Sequence, residues 1–528
     1  MPGKTTTVTF FGQHLEGATE LWTSFPAKVA CVSSDQTKNH GSGQTTFQLS
    51  VPENVPVGIC AVQLATTNGI SNLHLFMIDD LPSVSKSGTN KNSASAQRLN
   101  LPVAVDGACE ELGFDYYQFH ARKGQRVSIE VVANRLGSPL DPVVRLLDAS
   151  GKELIYSDDE PAIGPDCRFR FTVPTNGQYV VEIHDLAYQG GPKHRYRLRA
   201  GNFPLASAPF PLGARQGART KVQFIGSDVQ GVRPVNVLAS SSARVPLSVR
   251  FPGGSGSGFV TLATSRLPEL MEIEPNETPE TATKIFIPSV VNGRFTRPKD
   301  RDWFEFSAAK GQRLVFSGRT RSLGSPCDLF MRLFSAGGDP LSQADISGAN
   351  EGTLTNTFNE AGTYRLRVEE LNRQGGPDLA YRITMEAFQP GFTLSVETNR
   401  VEAACDGSFE IKATVTRREY DGPIALSIIG LGDDFVLENN VIAEKKSETA
   451  LQVKLPARVV AGQLFRFTLA GKARVGDEDF ETTASTMPAL RKLFPLLRYP
   501  PVELDSWIAL GIKASISKKE AQPPDKPK

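Results

Sequence analysis

Asp302-Trp-Phe-Glu-Phe306, Lys310-Gly-Gln-Arg313 and Leu323-Gly-Ser-Pro326 stand over Asp115-Tyr-Tyr-Gln-Phe119, Lys123-Gly-Gln-Arg126 and Leu136-Gly-Ser-Pro139 at a constant offset. From Asp115 to Leu154 against Asp302 to Leu341, 17 of 40 positions are identical, where average residue usage gives about 2 or 3. Two residues then drop out. The register resumes with Gly177-Gln-Tyr179 over Gly362-Thr-Tyr364 and Gln189-Gly-Gly-Pro192 over Gln374-Gly-Gly-Pro377. The chain contains one domain twice.

Within each copy apolar and polar residues alternate, at Val127, Ile129 and Val131, at Tyr179, Val181 and Ile183, and at Tyr364, Leu366 and Val368. A period of two describes half-buried strands. Between the strands lie Lys-Gly-Gln, Leu-Gly-Ser-Pro and Gln-Gly-Gly-Pro, where glycine supplies positive φ and proline presets a turn. Several short strands per roughly 90 residues, without a helical period, predict an antiparallel β-sandwich.

Glu272-Ile-Glu-Pro-Asn-Glu-Thr278, Asp302-Trp-Phe-Glu-Phe306, Gly311-Gln312 and Gly362-Thr-Tyr364 together resemble the bacterial pre-peptidase C-terminal (PPC) domain. The first copy shares the Asp-aromatic-aromatic strand, the Gly-Gln turn and the Gly-x-Tyr strand, but reads as lacking the Glu-Pro-Asn lead-in. The resemblance implies a small jelly-roll-like sandwich, found beside secreted peptidases and in surface proteins, and itself not catalytic.

Outward from the copies, Val8-Thr-Phe-Phe-Gly-Gln-His-Leu-Glu-Gly17 and Val222-Gln-Phe-Ile-Gly-Ser-Asp-Val-Gln-Gly231 resemble the opening strand and turn of IPT/TIG immunoglobulin-like domains. The expected fold is all-β, an array of antiparallel β-sandwich domains, Ig-like and jelly-roll-like. The expected layout is an Ig-like domain at 1–80, a linker at 81–97, PPC-like sandwiches at 98–202 and 269–390 and a second Ig-like domain at 203–268. A C-terminal Ig-like sandwich at 391–490 and an extension at 491–528 complete it. The prolines of Leu493-Phe-Pro-Leu-Leu-Arg-Tyr-Pro-Pro501 put that run along an edge, and the charged, proline-rich Lys518–Lys528 is expected to be disordered.

Charges nearly cancel, 58 Lys plus Arg against 57 Asp plus Glu, so no strong field favours nucleic acid or an acidic membrane as a partner. No stretch approaches about 18 uninterrupted apolar residues, so no membrane span is expected. Met1-Pro-Gly-Lys-Thr-Thr-Thr7 has no apolar core of signal-peptide length, and with the resemblance this leads us to expect a start placed inside a longer exported protein, periplasmic, surface-bound or secreted.

For catalysis the sequence offers no Gly-x-Ser-x-Gly, HExxH, P-loop or paired CxxC. All six histidines lie in the first half, and Ser307, Glu369 and Leu379 replace His120, His184 and His194 in the second copy. Gly253-Gly-Ser-Gly-Ser-Gly258 lacks the lysine of a phosphate cradle and reads as a flexible hairpin loop. We therefore expect no enzyme, but a binding or display protein for an extracellular protein or polysaccharide. The alternatives are an accessory region of a secreted peptidase and a spacer.

Cys109 and Cys167 are both absent from the aligned positions Thr296 and Gly352, as a disulfide gained or lost as a unit would leave; two independent small residues would leave the same pattern. The pairs Tyr116-Tyr117 and Trp303-Phe304 each send one ring to the core, and the other is a ligand platform or a sheet cover. The sharpest candidate is calcium at the second copy, on Glu272, Glu274, Asn276, Glu277, Asp300 and Asp302. Calcium requires six to eight oxygens, and collagen-binding PPC relatives use such a lead-in with aspartates before the first strand. Lys299 stands where a further aspartate is common and would repel the ion; the competing reading is a solvated acidic linker. The first copy is expected to bind none, since Asn92 to Leu99 offers no carboxylate.

Overall fold

The computed structural model describes residues 1–15, 17–32, 43–345 and 351–515; the expected disorder of Lys518–Lys528 falls outside them, as does His40. Almost every regular element is a strand, and most pairings are antiparallel. No helix among the described residues is long and apolar enough to cross a membrane.

The two copies fold alike, strand for strand. One sheet of the first copy runs Cys167–Thr172, Arg126–Val132, Arg195–Gly201, Val103–Ala108, Ser83–Ser85, and the second copy repeats that order with Thr353–Thr357, Arg313–Arg319, Ala380–Ala387, Ser289–Arg294, Glu269–Met271. The facing sheets are also equivalent, Glu153–Ser157 to Gln97–Arg98 and Pro340–Asp345 to Thr283–Lys284 at their edges. The alternation read from sequence builds the cores. Tyr117, Phe119, Val131 and Val181 are buried in the first, and Phe304, Phe306, Leu366 and Val368 in the second.

Several expected boundaries move. The stretch at 81–97 is not a free linker, because Ser83–Ser85 and Gln97–Arg98 add parallel edge strands to the two sheets of the first copy. The C-terminal sandwich extends past 490. Ile508–Lys513 pairs in parallel with Arg400–Ala404 and antiparallel with Leu464–Val475, so the last strand lies inside the supposed extension. The proline-containing run is not an edge strand either. Met487–Leu493 forms a short α-helix, and Leu490 and Phe494 pack on Ala61 and Leu73 of the N-terminal sandwich. The two small sandwiches, despite their shared opening string, pair differently. Arg244–Val249 and Gly258–Ser265 are hydrogen-bonded neighbours, whereas Gln44–Ser50 and Gly58–Thr66 lie in separate sheets.

The modules lock together. The Ile70 N–H donates to the Glu402 carboxylate (2.9 Å) and the Arg400 guanidinium to the Ile70 carbonyl (2.7 Å), so the N-terminal sandwich packs on the C-terminal one. The glycine-rich hairpin is a bolt. The Ser257 hydroxyl donates to Asp80 (2.7 Å) and Arg199 donates to the Ser257 carbonyl (2.6 Å). A Cβ on Gly256 would lie 2.6 Å from Leu81 Cδ2, which accounts for glycine at that position.

The disulfide is overturned. Cys109 and Cys167 are both free, buried thiols. Cys167 pairs with Val131, Val131 with Leu198 and Leu198 with Val105. Three strand spacings, roughly 14 Å, therefore separate Cys167 from the strand that Cys109 follows, against a Cα limit near about 7 Å for a bridge. The sequence comparison also misplaced the partner. By backbone pairing Cys109 corresponds to Phe295, since Cys109 bonds the His194 and Gly191 backbone as Phe295 bonds Leu379 and Gly376. Both are core positions. Burial pushes the Cys109 thiol up to about 12 and Cys167 well above its ordinary value, so thiolate chemistry is suppressed. We expect neither thiol to react with a thiol reagent in the native protein and both to react in non-reducing denaturant, as read by peptide mapping. A disulfide-linked peptide pair would contradict the structure.

Candidate metal centre

The second copy gathers most of the residues named from sequence. The lead-in crosses from the strand Glu269–Met271 to the 3-10 turn Pro279–Thr281, where a Thr278–Thr281 capping box holds its end. On the way the Asn276 carbonyl accepts the Trp303 N–H (2.9 Å), which lays the lead-in across the start of the strand Arg301–Ala308. Carboxylate oxygens of Glu274, Asp300 and Asp302 lie within 4.8 Å of one another. Asp300 and Asp302 are buried.

Glu272 joins through Tyr381, whose hydroxyl lies 2.7 Å from Glu272 Oε2 and 2.6 Å from Asp302 Oδ2. One phenolic proton serves only one of these oxygens. Asn276 is fully buried with its amide oxygen facing Glu274 and Asp302; turned over, its nitrogen donates to Glu274 Oε2 at 2.9 Å and Asp302 Oδ1 at 3.2 Å. Asp300 Oδ1 is buried without a hydrogen bond. Burial, then the charge of Glu272, pushes the Asp302 carboxyl far above the usual carboxylate range, and burial raises Glu272 as well.

Glu277 does not belong to the cluster, because it pairs with Arg297. Lys299 is solvent-exposed. The cation beside the site is instead Arg297, with Nε 3.7 Å from Asp300 Oδ1.

The first copy has the lead-in after all, at Lys86–Ser93. The Tyr116 N–H bonds the Asn90 carbonyl (2.9 Å) just as Trp303 bonds Asn276, and Lys86 and Glu272 bond the backbone of Asp106 and Asn292 alike. Lys86 thus occupies the place of Glu272. Its ammonium lies 2.6 Å from Asp115 Oδ1, with Lys91 at 3.6 Å from the same oxygen, and Asp115 also accepts from Tyr196 (2.7 Å). The expectation that this copy binds none was argued from Asn92 to Leu99, which are not the equivalent residues; at the equivalent place an ammonium group stands where the second copy has a carboxylate. A register offset one residue shorter before Asp115 sets Lys86 over Glu272, Asn90 over Asn276 and Lys91 over Glu277, and this signal was present in the sequence.

The aromatic pairs divide as alternation predicts, with Tyr117 and Phe304 buried. Trp303 is covered by Phe334 (5.1 Å between centroids) and by the Arg367 guanidinium. Tyr116 instead borders a cluster in which Phe114 lies 4.8 Å from His184 and His184 stacks on the exposed Tyr188 at 5.3 Å.

The comparisons find likenesses over parts of the chain. Residues 113–185 match the bacterial pre-peptidase C-terminal domain. Over 70 residues, 13% of this chain and 9% of the relative, the sequence is 37% identical to the probable subtilase-type serine protease of Deinococcus radiodurans; the chain thus spans less than a tenth of that protease. Among solved structures, the pre-peptidase C-terminal domain of a Bacillus anthracis collagenase is 18% identical, with 20% of this chain and 93% of that one covered and a TM-score of 0.17. The Aeromonas hydrophila periplasmic inhibitor of g-type lysozyme is 11% identical, covering 23% and 99%, with a TM-score of 0.16. PPC domains are non-catalytic accessory modules of secreted bacterial proteins.

Proposed function

We propose that the chain is a non-enzymatic binding or display region of an exported bacterial protein, whose second PPC-like domain holds its lead-in by a calcium ion. One observation carries this reading: three carboxylates gather beside the buried Asn276 amide, with Glu272 joined to them through the Tyr381 hydroxyl, where the first copy places a lysine ammonium. The donor set is all oxygen and partly buried, which suits a hard cation. Glu272, Glu274, Asn276, Asp300 and Asp302 would hold the ion, which supplies the positive charge that Lys86 supplies in the first copy. Millimolar extracellular calcium fits such a site and supports export. The aromatic cluster around Tyr188 is the surface for an extracellular protein or polysaccharide. The two-part module, an IPT/TIG-like sandwich followed by a PPC-like one, spaces these surfaces. Likeness to a subtilase-type protease over 70 residues favours, as a second reading, an accessory region of a secreted peptidase.

Calorimetric titration of the full chain with calcium is expected to give one saturable event with a dissociation constant of about 0.1 to 1 mM, the range of extracellular modules, lost in Asp302→Ala. Heat that survives this substitution, or no binding by about 1 mM, removes the calcium reading.

A further inference from the structure

A cavity of about 320 Å³ opens where the first PPC-like domain, the second small sandwich, the second PPC-like domain and the C-terminal extension meet. Its walls are largely apolar, with Pro161, Ile163, Phe259, Leu323 and Leu497 among them. Four arginines also line it, and no aspartate or glutamate does.

Arg135 and Arg321 are neutralised. Arg135 is bonded by Glu130 (2.8 Å) and Asp166 (2.6 Å), and Arg321 donates through Nη2 to Asp328 (2.7 Å). Arg244 is different. It makes one hydrogen bond, to the Ser322 carbonyl (2.9 Å), and no ion pair among the described residues. The charges of Glu503 and Glu351 act on it in one sense and those of Arg319 and Arg382 in the other, and Glu351 is already engaged by the Thr320 and Ser322 N–H groups. Arg498, at the exposed rim, lies over the Tyr499 ring. Two further donors on this cavity are buried without an acceptor, Arg321 Nε–H and the Tyr499 hydroxyl. Leaving buried donors without an acceptor is costly, and a cavity whose charged side chains are all cationic is complementary to an acceptor carrying negative charge.

We infer that this junction is a binding site for a small organic monocarboxylate, its carboxylate on Arg244, Arg321 Nε and Tyr499 and its apolar body against the walls. One half-buried guanidinium without an ion pair among the described residues matches a single negative charge, and the volume takes a body the size of an aromatic ring. Because four modules contribute to the walls, the ligand would tie them together.

Phenylacetate and its neutral isostere phenylacetamide test this on the full chain by calorimetry. Phenylacetate is expected to bind saturably and phenylacetamide at least about tenfold more weakly, since hydrogen bonds to a charged group are at stake. Arg244→Gln is expected to weaken phenylacetate roughly tenfold or more. If that variant does not fold, Tyr499→Phe, which deletes only the buried hydroxyl, is expected to weaken binding about threefold or more without lowering the melting temperature. Equal affinity for acid and amide, unchanged affinity in the variants, or no binding by about 10 mM would each show a water-filled junction and overturn the assignment.

Discussion

Arg199→Ala is expected to destabilise the protein by about 3 to 5 kcal/mol, the scale for removing one partner from a buried ion pair. Arg199 is 0% exposed. Its guanidinium bonds Asp79 of the N-terminal sandwich (3.0 Å), Glu130 of its own domain (2.6 Å) and the Ser257 carbonyl of the second small sandwich (2.6 Å), and it stacks on Phe203 at 4.5 Å. Arg197 adds a second bond to Asp79 (2.9 Å). Burial alone would raise the Asp79 carboxyl, yet Arg199 and Arg197 hold it below its ordinary value; burial would raise Glu130 too, yet Arg135, Arg199 and Arg168 hold it at about 2. Deleting Arg199 leaves both carboxylates desolvated with less compensation, and three modules lose a shared partner. Urea unfolding followed by fluorescence and by limited proteolysis is expected to show the N-terminal sandwich separating before the rest. A loss under about 1 kcal/mol, the scale of a surface pair, would mean that water replaces the guanidinium and that the network does not join these modules.

Glu272→Lys is expected to raise stability in calcium-free buffer by about 2 kcal/mol, the scale of a hydrogen bond to a charged group, and to abolish any stabilisation by calcium. It gives the second copy the arrangement of the first, where Lys86 lies 2.6 Å from Asp115 with its side chain only 10% exposed. The native protein is expected to show the opposite behaviour. Without a cation, buried acids face one another; with calcium at 10 mM and a dissociation constant of about 0.1 to 1 mM, mass action adds roughly 1.4 to 2.7 kcal/mol. Paired thermal melts in chelator and in calcium separate the two proteins. A variant that is less stable than the native chain in chelator, or that still gains from calcium, would show that the two lead-ins are not interchangeable.

Much of the fold was legible because its determinants are local. The two-residue period at Val127, Ile129 and Val131 and the Gly-Gln turns specify strands and their connections through backbone sterics, and the duplication then required both copies to adopt one topology. The acidic site was legible in part for the same reason. Glu274, Asn276, Asp300 and Asp302 are close in sequence to two segments that the domain must bring together. What lay beyond local reading were the interactions between distant segments. Nothing near Ile508–Lys513 indicates that it completes a sheet with Arg400–Ala404. Nothing near Arg199 names Asp79 or Ser257 as its partners, and Cys109 and Cys167 resembled a bridge until the intervening strands were placed. Tyr381, more than 100 residues from Glu272, meets it only across the folded sandwich. Local sequence determined which segments became strands and which residues carried charge; only the packed tertiary structure decided which charges met, because burial removes the water that would otherwise satisfy each of them separately.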